Sequence, residues 1–277
     1  MSKKKNTSKT RFERIVTIII IIVAIIYYLM TLMGESESPS YSTSIANLEI
    51  PCTIHNNATE QIIEHIGYTV SYNHNWNLPN WVAYELSADE VAGVEERSNH
   101  FKPDPLVWGT PVVTKDYANS GYDRGHMAPA ADMKWSEQAM EESFYMTNMC
   151  PQIHNLNAGD WKALEEYVRS LAKQYDHVYI CCGPIVTNTS TRIGQNEQIV
   201  VPQSFYKVII RQKGSSWTGI GFVMANKPKE GKYTLSHYVK TINEVETMTG
   251  IDFFQNLPDD VEETIEGNYN LSDWKGL

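Results

Sequence analysis

The sequence predicts an α+β domain with mixed, largely antiparallel sheets flanked by helices, and it places one transmembrane helix before that domain. Residues 15–33 form an uncharged apolar run of nineteen residues. Between residues 66 and 224 several short segments alternate apolar and polar side chains at strand spacing, whereas residues 158–173 show helical spacing. Strands and helices that follow one another without a regular βαβ rhythm favour antiparallel pairing.

Residues 15–33 are predicted to be a single-pass transmembrane anchor. At about 1.5 Å per residue the run is about 28 Å long, close to the hydrocarbon thickness of about 30 Å. Residues 1–14 carry six basic side chains and are expected to be a cytoplasmic tail, so that the part after the anchor lies outside the cytoplasm. Secretion after cleavage of a signal peptide is the alternative, although the run is long for such a peptide and no small-x-small cleavage site follows it.

Residues 34–48 are predicted to be a Ser-rich tether, and residues 49–277 are the expected folded domain. About 230 residues suffice for one large domain with a substantial core. The formal net charge of the chain is −10 and residues 1–14 contribute +5, so that the remaining residues carry −15. A domain this acidic does not attract nucleic acid through its overall field, and recognition of phosphate would require a local group of cations and a metal ion.

The elements of the domain follow from these patterns in chain order. Thr59–His65 is ambiguous, and a short helix is one expectation for it. Residues 66–73 and 80–87 alternate on either side of a turn-rich segment and are predicted to form a hairpin. Residues 88–122 are predicted to be a polar loop of a length that is usually functional or mobile. Further predicted elements are short helices at Ser136–Ser143 and Val239–Thr249, strands at Phe144–Met149, His177–Cys182, Ser204–Gln212 and Trp217–Met224, and an exposed or loosely packed tail from Pro258.

The most clearly marked helix runs from about Ala158 to Lys173. Trp161, Leu164, Val168 and Leu171 recur in it at helical spacing and would form one apolar face. The sequence therefore predicts a helix that is buried along this face.

The four cysteines do not indicate a metal site. Their spacing contains no CxxC pair, so a structural zinc site is not expected. Cys181 and Cys182 lie in an apolar segment predicted to be a buried strand, where one of them would face the core as a small apolar side chain. Cys52 would be available for a disulfide outside the cell, and the sequence identifies no partner for it.

A polar stretch that begins at residue 123 contains candidate reactive side chains. The imidazole of His126, with an ordinary pKa near 6.5, is suited to taking a proton from water at neutral pH, and the guanidinium of Arg124 would lower that pKa and keep the ring neutral. A structural histidine is the equal alternative. Arg124 and Arg97 are ordinary surface charges in one interpretation, and in the other they clamp the oxygens of a phosphodiester.

Asn157 and Glu165 are candidates for holding a cation. Asn157 stands where a helix N-cap is expected, and a cap is the favoured interpretation from the residues alone. In the alternative its amide oxygen binds Mg²⁺, which prefers oxygen ligands and keeps several waters. Glu165 lies about 12 Å further along the helix, too far for both to bind one ion directly. Glu165 is therefore expected either to hold metal-bound water or to be solvated.

Three sequence blocks resemble the signature of the DNA/RNA non-specific endonucleases. The blocks are the DRGH of residues 123–126, the NMCPQ of residues 148–152 and the LNAGDWKALE of residues 156–165. They stand in the order and at the spacing of that family, and the likeness extends over roughly residues 66–260. The resemblance implies a ββα-metal nuclease fold and Mg²⁺-dependent hydrolysis of DNA and RNA without sugar specificity, with Mn²⁺ or another divalent cation as alternatives.

The resemblance also implies a role for each candidate residue. His126 would be the general base, Asn157 would bind the metal directly, and Glu165 would hold it through water. The expected catalytic residues are His126, Arg124, Arg97, Asn148 and Glu165, and Arg124 and Arg97 are also expected to bind the substrate. Because several members of the family are homodimers, a homodimer is one expected assembly.

Two other functions stay open. The same fold could serve as a catalytically silent module that binds nucleic acid or protein. Loss of His126 or Asn157 would have favoured that alternative, and both are present. Hydrolysis of another phosphodiester, such as a lipid headgroup, is a third possibility that the anchor keeps open. The sequence does not distinguish a preference for DNA from one for RNA.

Overall fold

The structure, a computed structural model, describes residue 17 and residues 45–53, 60–229, 231 and 233–277. The predicted cytoplasmic tail, the anchor apart from Thr17, and the tether as far as residue 44 lie outside the described residues. Nowhere in the described ranges is there a helix of the length and apolar character that a bilayer crossing needs.

One compact unit comprises Ile45–Leu277. It begins four residues before the predicted domain boundary. The reason is Leu48, whose side chain is 1% exposed and packs in the core, so that the last part of the predicted tether belongs to the fold.

A seven-stranded antiparallel sheet organises this unit. Its strands, in chain order, are β2 (Glu60–Glu64), β3 (Thr69–Asn73), β4 (Leu78–Ser87), β7 (His177–Ile185), β10 (Ser204–Lys213), β11 (Ser216–Ala225) and β12 (Val239–Lys240). Their order across the sheet is β12-β11-β10-β7-β4-β3-β2. The predicted α+β class with antiparallel pairing is confirmed.

Both faces of the sheet are covered, and each faces its own core. Along β10, Phe205 and Ile209 face the first core, whereas Tyr206, Val208 and Ile210 face the second. Successive side chains of a strand point to opposite faces, so the alternation places the two cores on opposite sides of the sheet. A strand buried on both faces is apolar at nearly every position, which explains the apolar run in β10.

The remaining elements lie against these faces or join the strands. The helices are α1 (Ala88–Val91), α2 (Glu137–Glu142), α3 (Lys162–Tyr175), α4 (Ile242–Thr249) and α5 (Asp259–Gly267), and a π-helical segment, Leu156–Trp161, leads into α3. Two-stranded sheets pair β5 (Asp123–His126) with β6 (Met149–Gln152), β1 (Cys52–Thr53) with β13 (Ile251–Asp252), and β8 (Arg192–Ile193) with β9 (Ile199–Val200). Short 3₁₀ turns lie at Thr114–Tyr117, Ala130–Asp132, Met146–Asn148, Leu235–Tyr238 and Leu271–Asp273.

Most of the predicted elements are present. The hairpin is confirmed as β3 and β4, and the short helix at Ser136–Ser143 is confirmed as α2. The strands predicted at His177–Cys182, Ser204–Gln212 and Trp217–Met224 are confirmed as β7, β10 and β11 with slightly longer bounds. The long helix is confirmed as the π-helical segment followed by α3. Cys181 and Cys182 are both fully buried, and they face the second and the first core respectively.

Four predictions are corrected. Residues 60–64 form a strand rather than a helix, because pairing with β3 buries alternate side chains. Residues 146–148 form a 3₁₀ turn, and the strand predicted there begins only at Met149. The predicted helix at Val239–Thr249 begins at Ile242, because Thr241 caps it and the two residues before that cap pair with β11. The tail is packed: it contains α5, and Trp274 is 1% exposed beneath the guanidinium of Arg211.

Candidate active site

A pocket of about 600 Å³ opens where β5, the π-helical segment and α3 meet the loop between α1 and β5. β5, β6 and α3 form a ββα unit on the first face of the sheet. The pocket is lined by five of the six side chains predicted from the sequence, namely Arg97, Arg124, His126, Asn157 and Glu165. The sixth, Asn148, does not line it.

The β5–β6 ribbon fixes the position of the histidine. Residues 124 and 126 are two apart in a strand, so their side chains leave the same face. Gly125 between them lies against the side chain of Gln152, and a Cβ atom at this position would be only 2.0 Å from Gln152 Oε1. Any side chain at position 125 would therefore require the buried side chain of Gln152 to move. The indole nitrogen of Trp161 donates a hydrogen bond to the carbonyl of His126 at 3.1 Å, which connects the ribbon to the start of α3.

His126 is buried, with 8% of its surface exposed, and its ring forms a cluster of three rings with two phenyl rings that also contact each other. The ring centroids of Phe101 and Phe144 are 5.6 and 5.0 Å away. Burial lowers its pKa from 6.5 to about 3, and the charges of Arg97 and Arg124 add to this effect. The neutral ring expected beside Arg124 has burial as its larger cause, and the charges of the two arginines are the smaller one. Nε2 has no hydrogen-bond partner among the described residues, although it is buried.

The same phenyl rings support the two arginines. The Cζ atom of Arg124 lies 4.0 Å from the ring centroid of Phe101, and that of Arg97 lies 4.9 Å from the centroid of Phe144. Arg97 also donates from Nε to Asn99 Oδ1 at 2.8 Å. Within the described part of the chain, neither guanidinium has a carboxylate within 4.0 Å. Both therefore keep donors for an anion, and the aromatic contacts hold them in the pocket wall.

The side chain of Asn157 is not a helix cap. Its backbone nitrogen already bonds to the carbonyl of Ile153 at 3.0 Å, so the helical segment begins before it. Its amide nitrogen donates to Asp123 Oδ2 at 2.8 Å. This bond leaves the amide oxygen available as a ligand for a hard cation. Asp123 thus orients the candidate ligand, a role that the sequence analysis did not assign to the first residue of the DRGH block.

Glu165 lies on α3 and lines the pocket, where the charges of Lys207, Asp132 and Arg169 act on it. Burial raises its pKa to about 7; the positive charge of Lys207 opposes the increase, and Asp132 adds to it. Asp132 is fully buried and accepts from Arg169 Nη1 at 2.7 Å and from the hydroxyl of Tyr84 at 3.0 Å.

Lys207 is a buried component of the site that the sequence analysis missed. It is fully buried, its Nζ lies 5.0 Å from the ring centroid of Trp161, and it is 3.5 Å from the carbonyl oxygen of Met127. A single lysine inside the apolar run of β10 is the sequence signal that could have identified it.

Asn148 is fully buried behind the pocket, and its amide contacts only backbone. Its oxygen accepts from the nitrogen of Ala128 at 2.8 Å, and its nitrogen donates to the carbonyls of Ala128 and Ser143 at 2.8 and 2.9 Å. These bonds fix the chain two residues beyond His126. Asn148 is therefore a positioning residue rather than the catalytic one that was predicted.

The donor set of the pocket fits a divalent ion that keeps most of its water. Mg²⁺ needs only one or two protein ligands, and the pocket offers an oriented amide oxygen from Asn157 and the carboxyl group of Glu165. His126 lines the same cavity, and its buried Nε2 has no hydrogen-bond partner among the described residues. The arrangement can therefore bring a neutral base, an ion with its waters and an anion-binding pair of arginines to one phosphate.

Comparison with known proteins shows similarity to nucleases. The model of the DNA/RNA non-specific endonuclease family matches residues 52–260. Mitochondrial nuclease EXOG of Xenopus laevis is 36% identical over 211 residues, which are 71% of this chain and 59% of that protein. Mitochondrial endonuclease G of Bos taurus is 32% identical over 71% of this chain and 70% of its own length. Nuclease C1 of Cunninghamella echinulata is 34% identical over 70% of this chain and 83% of its own length.

A solved structure has the same fold. A chain from the crystal structure of the EndoG/EndoGI complex, which concerns inhibition of EndoG, superposes with a TM-score of 0.69 and 29% sequence identity. The match covers 82% of this chain and 96% of that one. The chain spans about three fifths of the length of the EXOG relatives.

Proposed function

The chain belongs to the DNA/RNA non-specific endonuclease family, and on this premise we propose that it is a Mg²⁺-dependent endonuclease that hydrolyses the phosphodiester bonds of both DNA and RNA. One observation carries the proposal. A neutral, buried imidazole shares a pocket with two guanidiniums that form no ion pair within the described part of the chain, and with the side chains of Asn157 and Glu165. These are the groups that in-line hydrolysis of a phosphodiester requires.

In this mechanism His126 accepts a proton from the attacking water. Its low pKa in the free protein keeps it unprotonated at neutral pH. A bound phosphate would offset the charges of Arg97 and Arg124 that help to lower this pKa, so the ring becomes a stronger base when the substrate is present. The two guanidiniums hold the nonbridging oxygens and offset the charge that grows on them.

Asn157 would hold the ion directly, and Glu165 would hold it through water. The bound ion supplies polarisation of the phosphate and stabilisation of the leaving oxygen. Asp123 accepts from the amide nitrogen of Asn157, which would leave the amide oxygen for the ion, and Trp161 keeps the β5–β6 ribbon against the start of α3. Contacts of this kind recognise phosphate and carry no sequence information, which agrees with cleavage of both DNA and RNA.

The acidic domain would bind nucleic acid only locally. The residues after position 14 carry a formal charge of −15, so that attraction must come from the arginines of the pocket and from the ion. We expect modest affinity that decreases steeply with salt and is lost when the divalent ion is removed.

The nuclease domain is proposed to lie outside the cytoplasm, anchored by residues 15–33, with secretion after cleavage of that segment as the alternative. The support is the uncharged run itself and the basic residues before it. Activity in the membrane fraction that resists washing with high salt would support the anchor, and release of the intact chain by salt would contradict it. Sedimentation of the full chain in detergent tests the expected homodimer.

Incubation of the purified full chain with plasmid DNA and with RNA, in Mg²⁺ or in chelator at pH 6 to 9, tests the proposed activity. We expect both polymers to be cleaved only with the ion. His126→Ala should reduce turnover by about 10²–10⁴ while substrate binding is kept, because it removes a proton transfer. His100→Ala is its control, because His100 does not line the pocket and 72% of its side chain is exposed.

Replacement of Asn157 tests the metal ligand. Asn157→Ala should raise the Mg²⁺ concentration needed for activity by about tenfold or more, as loss of a metal-holding group does. Asn155→Ala, an exposed neighbour, should keep the wild-type requirement. Binding of both polymers without cleavage by the wild type at any pH would instead favour a silent binding module.

A further inference from the structure

Three carboxyl groups from consecutive elements meet on the second face of the sheet, far along the chain from the pocket residues. Glu246 comes from α4, Asp252 from β13 and Glu266 from α5. Each places a carboxylate oxygen within 4.8 Å of the other two. We refer to these three residues as the acidic triad.

Glu246 and Asp252 of the triad are half-buried, whereas Glu266 is buried with one unsatisfied oxygen. Glu266 is 7% exposed, and its Oε1 is buried without a hydrogen-bond partner among the described residues. Glu262, one turn earlier on the same face of α5, has a second buried Oε1 of the same kind. Glu246 uses Oε1 to accept from the backbone nitrogen of Phe253 at 2.9 Å.

No cation offsets these charges within the described residues. None of the ion pairs formed there includes a triad residue or Glu262. Burial first, and then the neighbouring carboxylates, raise the pKa of Glu266 to about 9 and that of Glu262 to about 7. Buried carboxylates that lack a partner are costly, and they are stabilised either by a proton or by a bound cation.

We propose that the acidic triad is a structural binding site for a divalent cation, with Ca²⁺ preferred to Mg²⁺. The ligands are carboxylates only, and Ca²⁺ takes six to eight oxygens, with carboxylates bound through one or both atoms. Mg²⁺ demands regular octahedral geometry and usually keeps its waters, so it rarely uses so many carboxylates.

The site is separate from the proposed catalytic ion. The residues around the triad, such as Ile242, Val245 and Phe253, belong to the second core, whereas Trp161 and Leu164 at the pocket belong to the first. The sheet lies between the two cores, so the cation would connect α4, β13 and α5 without reaching the substrate. Its expected effect is on stability, and it does not depend on the proposed nuclease activity.

Equilibrium dialysis of the full chain with ⁴⁵Ca²⁺ and thermal unfolding with and without Ca²⁺ test the proposal. We expect a Kd of about 10⁻⁴–10⁻³ M, as in extracellular calcium modules. When Ca²⁺ is about tenfold above this Kd, Tm should rise by about 4 °C. The matched pair is Glu266→Gln and Glu263→Gln, because Glu263 is exposed on the same helix.

Glu266→Gln should weaken Ca²⁺ binding at least tenfold and abolish the rise in Tm, and Glu263→Gln should retain both. Asp252→Asn is the second variant if Glu266→Gln does not fold, and the same loss is expected. Asn157→Ala should keep the full response to Ca²⁺, which separates this site from the pocket. Wild-type affinity in Glu266→Gln or Asp252→Asn, loss of the response in Asn157→Ala, or an unchanged Tm of the wild type in Ca²⁺ would each overturn the proposal.

Discussion

The buried state of His126 makes the stability of the fold depend on pH, and His126→Gln tests this directly. The pKa of His126 is about 3 in the folded protein and 6.5 in its ordinary state, because burial and then Arg97 and Arg124 disfavour the charged ring. The unfolded chain therefore takes up the proton first on acidification. The stabilising contribution is fully present above about pH 6.5 and is lost progressively as the pH falls towards 3.

The size of the effect follows from these two pKa values. One pKa unit corresponds to about 1.4 kcal/mol. At pH 5 the unfolded ring is almost fully protonated and the folded ring is not, which lowers the free energy of unfolding by about 2 kcal/mol relative to pH 8. Glutamine at position 126 cannot take up this proton. The wild type should therefore lose about 2 kcal/mol more than His126→Gln between pH 8 and pH 5.

Urea unfolding of the full chain at the two pH values, followed by tryptophan fluorescence, measures this difference. Trp81, Trp161 and Trp274 are all buried and report on the core. His100→Gln is the control. The side chain of His100 is mostly exposed, so this variant should lose as much free energy of unfolding between pH 8 and pH 5 as the wild type does. Equal losses in the wild type and in His126→Gln would refute the assignment of a buried, neutral ring.

Three further substitutions test individual contacts. Trp161→Phe removes the hydrogen bond to the carbonyl of His126. It should lower kcat about tenfold with little change in KM, and it should reduce the free energy of unfolding by about 1 kcal/mol. An unchanged kcat in steady-state assays would contradict the positioning role of Trp161. Asp132→Ala leaves the charge of Arg169 without its buried partner. Urea unfolding should show that the free energy of unfolding falls by about 3–5 kcal/mol. A loss below 1 kcal/mol would show that water replaces the carboxylate. Trp274→Ala should lower the free energy of unfolding by about 3–5 kcal/mol, whereas a neutral effect on Tm would mean that the tail is loosely held after all.

The parts of the fold and site that sequence reasoning predicted are those determined over short distances. The β3–β4 hairpin, α2 and α3 follow from local periodicity, and Arg124 and His126 share a face because they are two apart in one strand. The family resemblance likewise rests on local sequence, namely the order and spacing of the three blocks at residues 123–126, 148–152 and 156–165.

The parts that sequence reasoning missed depend on distant partners. Asn157 was assigned first as a cap, and the contact with Asp123, 34 residues earlier, decides otherwise. Residues 60–64 are too few for their periodicity to distinguish a helix from a strand, and β3 determines the outcome. Trp274 is buried because it packs in the first core and under Arg211, and a pattern read along the tail cannot reveal these contacts.

The seven-stranded sheet acts as a partition, and this has a practical consequence for engineering. Side chains on its two sides share few neighbours, and changes in stability at independent sites usually add. A thermostabilising substitution or a reporter group on the side of α4 and α5, away from the acidic triad, could therefore be combined with a change at the pocket on the opposite side, and the two effects on stability should add.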